Sequence, residues 1–206
     1  MPDFDLESAC RKAGYRVVCG VDEAGRGPWA GPVVAAAAVL DDARLPAELA
    51  DAIDDSKKLS ARRRKALFCQ LEGFIQIGVG QAAVDEIDEM NILQATLLAM
   101  TRAVGALPVT PDFALIDGNR IPDLGNIKAD CVIKGDTRSL SIAAASIIAK
   151  VTRDRIMTEL SGRYPGYGWE NNAGYGTAGH QDALTRLGVT PEHRKSFAPI
   201  RKILGA

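Results

Sequence analysis

The sequence lacks the marks of a membrane, secreted or zinc-binding protein. No uninterrupted apolar run among its 206 residues approaches the roughly 20 residues that a membrane-spanning helix needs. Its start, MPDFDLESAC, is acidic and has neither the basic nor the apolar part of a secretory signal. Only two histidines are present, His180 and His193, and this scarcity argues against a zinc site.

Cysteine pairs are also missing. The four cysteines, Cys10, Cys19, Cys69 and Cys131, are scattered, and none forms a CxxC pair. In a chain of this length they indicate reduced, buried thiols rather than a disulfide framework. Because thiols stay reduced in the cytoplasm, we predict a cytoplasmic protein.

Charge is nearly balanced in total but unevenly distributed. The formal net charge of −1 argues against a protein that coats nucleic acid. Acids nevertheless dominate residues 41–55, bases dominate the next stretch, SKKLSARRRK, and the tail from residue 190 is again basic. The total can therefore conceal a basic surface beside an acidic one, although a solvated helix face is the simpler explanation of any single charged run.

Hydrophobic periodicity predicts an α/β fold. Strand-like runs cover residues 15–21, 31–40, 74–82, 113–117 and 127–136. Helical spacing covers 84–107 and 139–160, the latter with Ser139 as N-cap, and shorter helices are expected around 60–71 and at 178–187. Three meandering strands followed by strand–helix units imply a mixed five-stranded sheet, three strands antiparallel and then two parallel, with helices on both faces.

The chain shows no internal repeat or flexible linker, so we predict a single domain over residues 1–206. After Arg163 the composition changes to the loop-like stretch YPGYGWENNAGYGTAGH. We expect a catalytic core within about residues 1–160 and a small helical and loop appendage, which contacts substrate, over about residues 161–206.

Four carboxylates stand where apolar strands end. Asp22 and Glu23 close the first strand, Asp117 closes the fourth, and Asp136 follows the fifth. Ligands of open α/β sheets collect at the carboxyl ends of strands, so these side chains can converge if the first and fourth strands are neighbours. Adjacent side chains on a regular strand point to opposite faces, so we predict that the strand breaks or ends between Asp22 and Glu23.

Convergent carboxylates without histidine suit hard, oxygen-seeking cations such as Mg²⁺ or Mn²⁺. Two such ions about 4 Å apart bridge a phosphodiester, activate a water and stabilise the leaving oxygen. The alternative for any one of these carboxylates is that it only caps or solvates a loop. Four together, beside glycine-rich turns, favour the metal site.

Five blocks of sequence occur in a distinctive order: GVDEAGRGPWAGPVVAAAAVL from residue 20, DSKKLS at 55–60, IDGN at 116–119, KGDTRSLSIAAASIIAKVTRD at 134–154 and GYGTAGH at 174–180. They resemble the type 2 ribonuclease H family, specifically the bacterial ribonucleases HII, from about residue 15 to Pro199. The resemblance implies an RNase H-like fold whose first strand lies between the second and the fourth. It also implies a divalent-metal endonuclease that cuts the RNA strand of RNA–DNA hybrids.

The resemblance further implies roles for individual residues. Asp22, Glu23 and Asp117 match metal ligands, and Asp136 matches the fourth carboxylate of the site. Gly25, Arg26 and Gly27 match a GRG loop whose main-chain groups recognise the 2′-hydroxyl beside the scissile phosphate. Glycines permit this close backbone approach, and the 2′-hydroxyl is the group that distinguishes RNA from DNA.

The remaining matches concern the nucleic acid. Tyr175 matches a tyrosine that stacks on the deoxyribose after the ribonucleotide, which implies incision at single ribonucleotides embedded in DNA. Lys57 and Lys58 are similar to phosphate contacts, and Asn119 is similar to a residue that lines the substrate groove. Asn172 and Ala173 depart from the family, which has His-Lys there, so that lysine's phosphate contact is in doubt.

The residues alone leave simpler explanations open. Arg26 alone can be a surface arginine, the tyrosines of the loop-like stretch can pack beneath it, and we expect His180 to be structural. The site alone also fits a small-molecule phosphohydrolase or a non-catalytic module that binds hybrids. We favour a monomeric endonuclease that incises 5′ to a ribonucleotide in an RNA–DNA hybrid or duplex DNA, leaving 3′-hydroxyl and 5′-phosphate ends. A replication or repair partner is left open.

Overall fold

A computed structural model describes residues 1–53 and 59–205 of the chain, and its five strands form one mixed sheet. The strands are β1 (Val18–Ala24), β2 (Val33–Leu40), β3 (Ile75–Ala82), β4 (Phe113–Asp117) and β5 (Lys128–Val132). Their order across the sheet is β3-β2-β1-β4-β5. The pairs β1–β2 and β2–β3 are antiparallel, whereas β1–β4 and β4–β5 are parallel. The predicted sheet, with the first strand between the second and fourth, is thereby confirmed.

Helices cover both faces of the sheet. They are α1 (Asp5–Lys12), α2 (Ala47–Ala50), α3 (Ala61–Leu71), α4 (Val84–Gly105), α5 (Leu140–Arg163), α6 (Trp169–Asn172), α7 (Ala178–Leu187) and α8 (Ala198–Ile203). One hydrophobic cluster packs α4 against one face, and a second packs α5 and α3 against the other. Because both faces are covered, β2 is a continuous apolar run, VVAAAAVL, instead of an alternating one.

Helix α5 is the structural centre of the molecule. Its first ten residues, 140–149, are all buried, as their alanine and isoleucine content predicts. Ser139 caps the helix, since its Oγ accepts a hydrogen bond from the Ile142 N–H at 3.2 Å. The backbone of α5 crosses β1 at Gly20, where a Cβ atom would overlap the Ser141–Ile142 peptide. A glycine there lets α5 approach the strand that carries Asp22.

Helix α4 departs from the single regular helix that its periodicity predicts. Asn91 has φ +72° and ψ 163°, so the helix is kinked at this residue. The side-chain Oδ1 of Asn91 accepts hydrogen bonds from the N–H groups of Leu93 and Gln94, which caps the second half of the helix. Beyond the kink the buried face passes through Ala95, Ala99 and Met100 and not through Leu93.

The C-terminal segment has a small hydrophobic cluster of its own. Its members come from α6, α7 and α8, from the end of α5 and the turn that follows it, and from the turn after β1: Ala30, Met157, Leu160, Tyr167, Trp169, Ala183, Leu184 and Ile200. This cluster attaches the predicted appendage to the main sheet. Because α5 continues to Arg163, the proposed division near residue 160 falls inside a helix, and the division itself stays a prediction.

The cysteines agree only in part with expectation. All four are free, but Cys19 alone is buried, whereas Cys69 is exposed and Cys10 and Cys131 are intermediate. The prediction of buried thiols is therefore wrong for three of them, because α1, α3 and β5 place them near the edge of the fold. Within the described ranges, no helix is both long and apolar enough to cross a membrane.

Candidate active site

Three of the predicted carboxylates meet at one end of the sheet. Asp22 and Glu23 lie on β1, and Asp117 is the last residue of the adjacent parallel strand β4. Each side chain offers an oxygen that lies within 4.8 Å of the other two, and Asp22 is buried. Parallel neighbours end at the same edge, so topology alone brings together residues far apart in sequence.

The strand does not break between Asp22 and Glu23, and that prediction is wrong. β1 continues to Ala24, with Asp22 opposite Ala36 and Glu23 opposite Ala35 on β2. The ladder with β4 ends instead at the pair Val21–Ile116, which leaves the other edge of β1 open beside both carboxylates. Side chains that leave the strand on opposite faces can meet around this open edge, and the Glu23 N–H donates to Asp22 Oδ1 at 2.7 Å.

The electrostatics of this cluster disfavour its charged form. Burial raises the pKa of Asp22 well above its usual range, and the charges of Glu23 and Asp117 raise it further, while a hydrogen bond from Ser146 opposes the shift. Burial also raises the pKa of Glu23, against the opposing charge of Arg26. A divalent cation would offset this repulsion, so the chemistry of the three oxygens fits Mg²⁺ or Mn²⁺.

Asp136 lies apart from this trio. It is buried in a 3₁₀ turn, Gly135–Thr137, between β5 and α5. The turn does contact the site, because the Gly135 N–H donates to Asp117 Oδ1 at 2.7 Å. Among the described residues, however, the carboxylates within 4.8 Å of one another are Asp22, Glu23 and Asp117 without Asp136. The expected role of Asp136 as fourth carboxylate stays a prediction.

The GRG sequence forms the turn immediately after β1. Gly25 has φ +100°, a conformation that favours glycine, and a Cβ atom there would overlap the side chain of Arg153. Arg26 is half-exposed, and its Nη1 lies 3.3 Å from Glu23 Oε1. A Cβ atom at Gly27 would lie 3.4 Å from the ring of Tyr175, which is 49% exposed. The two predicted recognition elements are therefore in contact with each other.

Carboxylates, GRG turn and tyrosine line one cavity of about 220 Å³. Its wall also includes three residues that the motifs did not single out: Ser146, Lys150 and Arg153. They lie four and then three positions apart on α5, so they share one face of the helix. Polar residues at this spacing in a helix rich in alanine and isoleucine are visible in the sequence, and they could have indicated which face of α5 lines the site.

Comparison with known proteins agrees with this site. The sequence matches the family described as Ribonuclease HII over residues 19–200. It is 57% identical over 203 residues to a ribonuclease HII of Ruegeria sp. (strain TM1040), which covers 98% of this chain and 87% of that protein. A ribonuclease HII of Jannaschia sp. (strain CCS1) is also 57% identical, over 98% of each chain. The chain belongs to the ribonuclease HII family.

Comparison with solved structures agrees with this family membership. The crystal structure of the ribonuclease H2 from Pyrococcus horikoshii OT3 is 30% identical and gives a TM-score of 0.75, covering 91% of this chain and 97% of that one. The expected RNase H-like fold is thereby confirmed. As a member of the ribonuclease HII family, the chain is a ribonuclease H enzyme, a hydrolase of the nuclease class.

The resemblance also implies contacts with nucleic acid for three further residues, and the structure does not place these residues in the cavity. Asn119 is exposed two residues after Asp117 and is not among the residues that line the cavity. Lys57 and Lys58 lie outside the described residues. For all three, a contact with nucleic acid stays a prediction.

Asn172 and Ala173, which stand where the resemblance implies His-Lys, have a local structural role. Asn172 donates a hydrogen bond to the Tyr167 carbonyl at 2.8 Å, and its Oδ1 accepts one from the Gly174 N–H at 2.8 Å. Ala173 adopts a left-handed conformation with φ +49°. Asn172 therefore holds the turn that leads into Tyr175.

Proposed function

We propose that this ribonuclease HII family member hydrolyses the RNA strand of RNA–DNA hybrids and incises 5′ to ribonucleotides embedded in duplex DNA. The products would carry 3′-hydroxyl and 5′-phosphate ends. The observation that supports the proposal is the arrangement of one cavity, in which three converging carboxylates adjoin the GRG turn and an exposed tyrosine. The groups proposed for hydrolysis and those proposed for recognition of the sugar therefore line the same cavity.

We assign the metal to the three converging carboxylates. Asp22, Glu23 and Asp117 would hold Mg²⁺ or Mn²⁺, with Asp136 as the fourth carboxylate, and two ions are expected once substrate is bound. The bound ions would supply Lewis acidity for the phosphodiester and lower the pKa of the attacking water. The Ser146 hydroxyl holds Asp22 in place through their hydrogen bond, and the Gly135 N–H does the same for Asp117.

We assign recognition to the GRG turn and Tyr175. Main-chain groups of Gly25 to Gly27 can approach a ribose closely because two of the three residues have no side chain. The ring of Tyr175 lies over Gly27, where it can pack on the adjacent sugar. Lys57, Lys58 and Asn119 would contact the nucleic acid around this centre. Cytoplasmic location, a monomeric state and a replication or repair partner also remain predictions.

The test is cleavage of a labelled DNA duplex that contains one ribonucleotide, with Mg²⁺ and Mn²⁺ compared. We expect a single cut 5′ to the ribonucleotide, no cut in the all-DNA duplex, and no cut with EDTA. Mutation of a residue that only supports a metal ligand typically lowers activity by up to roughly 100-fold. Asp117→Asn changes a proposed ligand itself, so we expect kcat to fall by more than this. Binding of the duplex should survive in this variant, because its phosphate contacts are unchanged.

Asp182→Asn, on the exposed face of α7, is the matched control and should cut as the parent does. Folded parent protein that leaves the ribonucleotide duplex intact with both metals contradicts the proposal. Turnover of nucleotides or sugar phosphates without cleavage of the duplex would favour the small-molecule phosphohydrolase. Binding of hybrids without cleavage by the parent, unchanged in Asp117→Asn, would favour a module that only binds hybrids.

A further inference from the structure

The turn after β1 has many inward-facing carbonyl groups and few regular hydrogen bonds. Residues 25–32, which we call the 25–32 loop, connect β1 to β2 and include the GRG turn. Buried carbonyls of an irregular loop need donors, because a buried polar group without a partner is costly. In this loop the Trp29 carbonyl accepts from the backbone N–H of Arg194, and two arginine side chains from distant parts of the chain supply donors for five other carbonyls.

Arg153 reaches the loop from α5. Its Nε donates to the Pro32 carbonyl at 3.0 Å and its Nη2 to the Ala30 carbonyl at 3.0 Å. The third nitrogen, Nη1, donates to the carbonyl of Ala173 at 2.9 Å. One guanidinium group therefore joins the 25–32 loop to residues 173–176, which we call the tyrosine segment because they include Tyr175.

Arg194 reaches the loop from the C-terminal tail. Its Nη1 donates to the Arg26 carbonyl at 2.9 Å and its Nη2 to the Gly25 carbonyl at 2.6 Å. The Gly31 carbonyl accepts from Nε at 3.0 Å and from Nη2 at 2.8 Å. These bonds fix the orientation of the GRG peptides directly.

Both arginines are almost completely buried, at 1% exposure for Arg153 and 0% for Arg194. Within the described residues neither takes part in an ion pair. Burial lowers the pKa of Arg153 to about 10 and that of Arg194 to about 9, and each remains charged at neutral pH. The charges of Asp154 and Asp88 oppose these shifts, and the hydrogen bonds to the loop carbonyls offset part of the cost of burying two guanidinium groups. Each arginine therefore satisfies carbonyls of the loop and, because its N–H donors have a fixed geometry, also orients them.

Direct contacts complete the connection between the two segments. The Trp29 N–H donates to the Gly174 carbonyl at 2.8 Å. Tyr175 lies against Gly27 at the cavity, and its carbonyl accepts from His180 Nδ1 at 2.9 Å. The 25–32 loop and the tyrosine segment thus form one unit, in which the Arg153 guanidinium contacts both segments and the Arg194 guanidinium holds the loop.

We propose that Arg153 and Arg194 are positioning residues, in which Arg194 orients the GRG turn and Arg153 holds the loop that carries this turn against the segment that carries Tyr175, and that together they determine how well the enzyme selects a ribonucleotide. This proposal rests on the function proposed above, because it assumes that these two elements recognise the sugars on either side of the cut. The role requires the planar fork of arginine, which directs several N–H groups at once. Lysine keeps the charge but has no such fork.

The test variants are Arg194→Lys and Arg153→Lys. We measure kcat/KM on a duplex with one ribonucleotide, and the inhibition constant of an all-DNA duplex as a competitor. We expect kcat/KM to fall about 10- to 100-fold, since small displacements of positioned groups have effects of this size. The inhibition constant should change by less than about twofold, because phosphate contacts dominate the binding of DNA without a ribonucleotide.

A fluorine signal separates positioning from simple loss of stability. The chain has two tryptophans, and Trp29 lies in the 25–32 loop, whereas Trp169 lies in α6. With 5-fluorotryptophan incorporated and Trp29→Phe used for assignment, the ¹⁹F resonance of Trp29 should shift or broaden in both lysine variants. The Trp169 resonance is the internal reference and should move less.

Two controls make the outcome decisive. Arg102→Lys removes a guanidinium that contacts Glu86 and the Gln81 carbonyl, away from the cavity, and should leave kcat/KM unchanged. Ile87→Ala, in the core on the other face of the sheet, supplies a destabilised protein with intact arginines. All variants are assayed at a temperature where circular dichroism shows each to be folded, and Arg153→Lys carries the test if Arg194→Lys does not fold.

The outcomes are distinguishable from failure of the proposed function. If the parent does not cut at the ribonucleotide, the proposed function fails. If the parent cuts, but a folded lysine variant keeps its kcat/KM or loses no more than Ile87→Ala does, the positioning role is wrong. An equal loss of kcat/KM and of all-DNA binding would also overturn it, because that pattern indicates a general contact with DNA.

Discussion

Exposure distinguishes Tyr175 from the other aromatic residues near it. Tyr167 and Trp169 are buried with their rings stacked 5.1 Å apart, and Tyr164 packs on the same indole at 5.9 Å. Tyr175 is 49% exposed and lines the cavity. Residue type alone could not separate these residues, since packing under a loop and stacking on a nucleic acid use the same side chains, and only the family resemblance singled out Tyr175. The structure leaves Tyr175 as the one free to meet a substrate.

We therefore predict that Tyr175→Ala lowers kcat/KM at an embedded ribonucleotide by about 5- to 100-fold, since aromatic contacts with nucleic acid contribute roughly 1–3 kcal/mol. Tyr175→Phe should stay close to the parent, because the ring provides the contact. Affinity for an all-DNA duplex should change little in both variants. Cleavage kinetics and competition binding check this. Equal activity of Tyr175→Ala and the parent would show that the stacking role is misassigned.

Single residues were predictable where their environment is local. Asp22, Glu23 and Asp117 follow directly from strand ends, and the rule that ligands collect at these ends brought them together correctly. Arg194 was not predictable, because the residue whose carbonyl it holds, Arg26, lies 168 positions away in the chain. No local pattern of charge or hydrophobicity distinguishes such an arginine from an exposed one in the basic tail.

At the scale of elements, α1 shows how a short helix can depend on one buried contact. The helix has eight residues and a polar sequence, DLESACRK, and a helix this short is marginal by itself. Its Glu7 is 1% exposed, and Glu7 Oε1 accepts hydrogen bonds from the Ser139 hydroxyl at 2.6 Å, the Ser141 N–H at 2.9 Å and the Ser141 hydroxyl at 2.6 Å. A carboxylate from α1 thus caps the N-terminus of α5, where negative charge is favoured.

We predict that Glu7→Ala lowers the free energy of unfolding by about 1–3 kcal/mol, because it leaves buried donors at the start of α5 without their acceptor. Glu7→Gln should lose less, since its amide oxygen can still accept. Urea denaturation followed by circular dichroism measures the change. Glu159→Ala, on the exposed side of α5, is the control and should stay within about 0.5 kcal/mol of the parent. A Glu7→Ala protein as stable as this control would show that the cap contributes nothing.

The kink of α4 shows what hydrophobic periodicity cannot predict about a helix. The stripe of Ile87, Met90 and Leu93 predicts one continuous helix, but Asn91 interrupts it. An asparagine side chain can replace a backbone acceptor and tolerates positive φ, so a break at this position is physically reasonable. It is not predictable from spacing, since asparagine also occurs on the exposed faces of regular helices. The strands β2 and β3, by contrast, were located within two residues by their apolar and alternating patterns.

At the scale of the whole molecule, His180 and His193 connect the chain after α7 to the tyrosine segment. The Thr190 N–H donates to His193 Nδ1 at 2.9 Å, so the proton of His193 is on Nε2. His193 Nε2 lies 3.0 Å from His180 Nε2, which must accept from it and also receives the Trp169 indole N–H at 3.2 Å. The proton of His180 is therefore on Nδ1, where it donates to the Tyr175 carbonyl. This arrangement requires that both rings are neutral.

Burial lowers the pKa of His180 and, together with the nearby His180 charge, lowers that of His193 to about 4. Both values lie below the value of about 6.5 in an unfolded chain, so the unfolded state binds more protons at mildly acidic pH. The stabilisation by neutral histidines is therefore fully present above about pH 6.5 and is lost as the pH falls toward 4. The raised pKa values of Asp22 and Glu23 act in the opposite direction, so in a protein with Asp22→Asn and Glu23→Gln we predict a melting temperature that decreases through this window, measured by calorimetry.

Histidine NMR checks the cause of that decrease directly. The chain has two histidines, so a long-range ¹H–¹⁵N spectrum of protein without an affinity tag contains two imidazole signals. We expect the Nδ1–H form for His180 and the Nε2–H form for His193, both unchanged from pH 7.5 to pH 5.5, because protonation of either ring would set two N–H donors against each other. Asn172→Ala, which removes the other support of the turn before Tyr175, should leave the His193 signal in place. Titration of either ring near pH 6.5 in the folded protein would contradict the assigned network, and with it the account of how the C-terminal segment holds Tyr175.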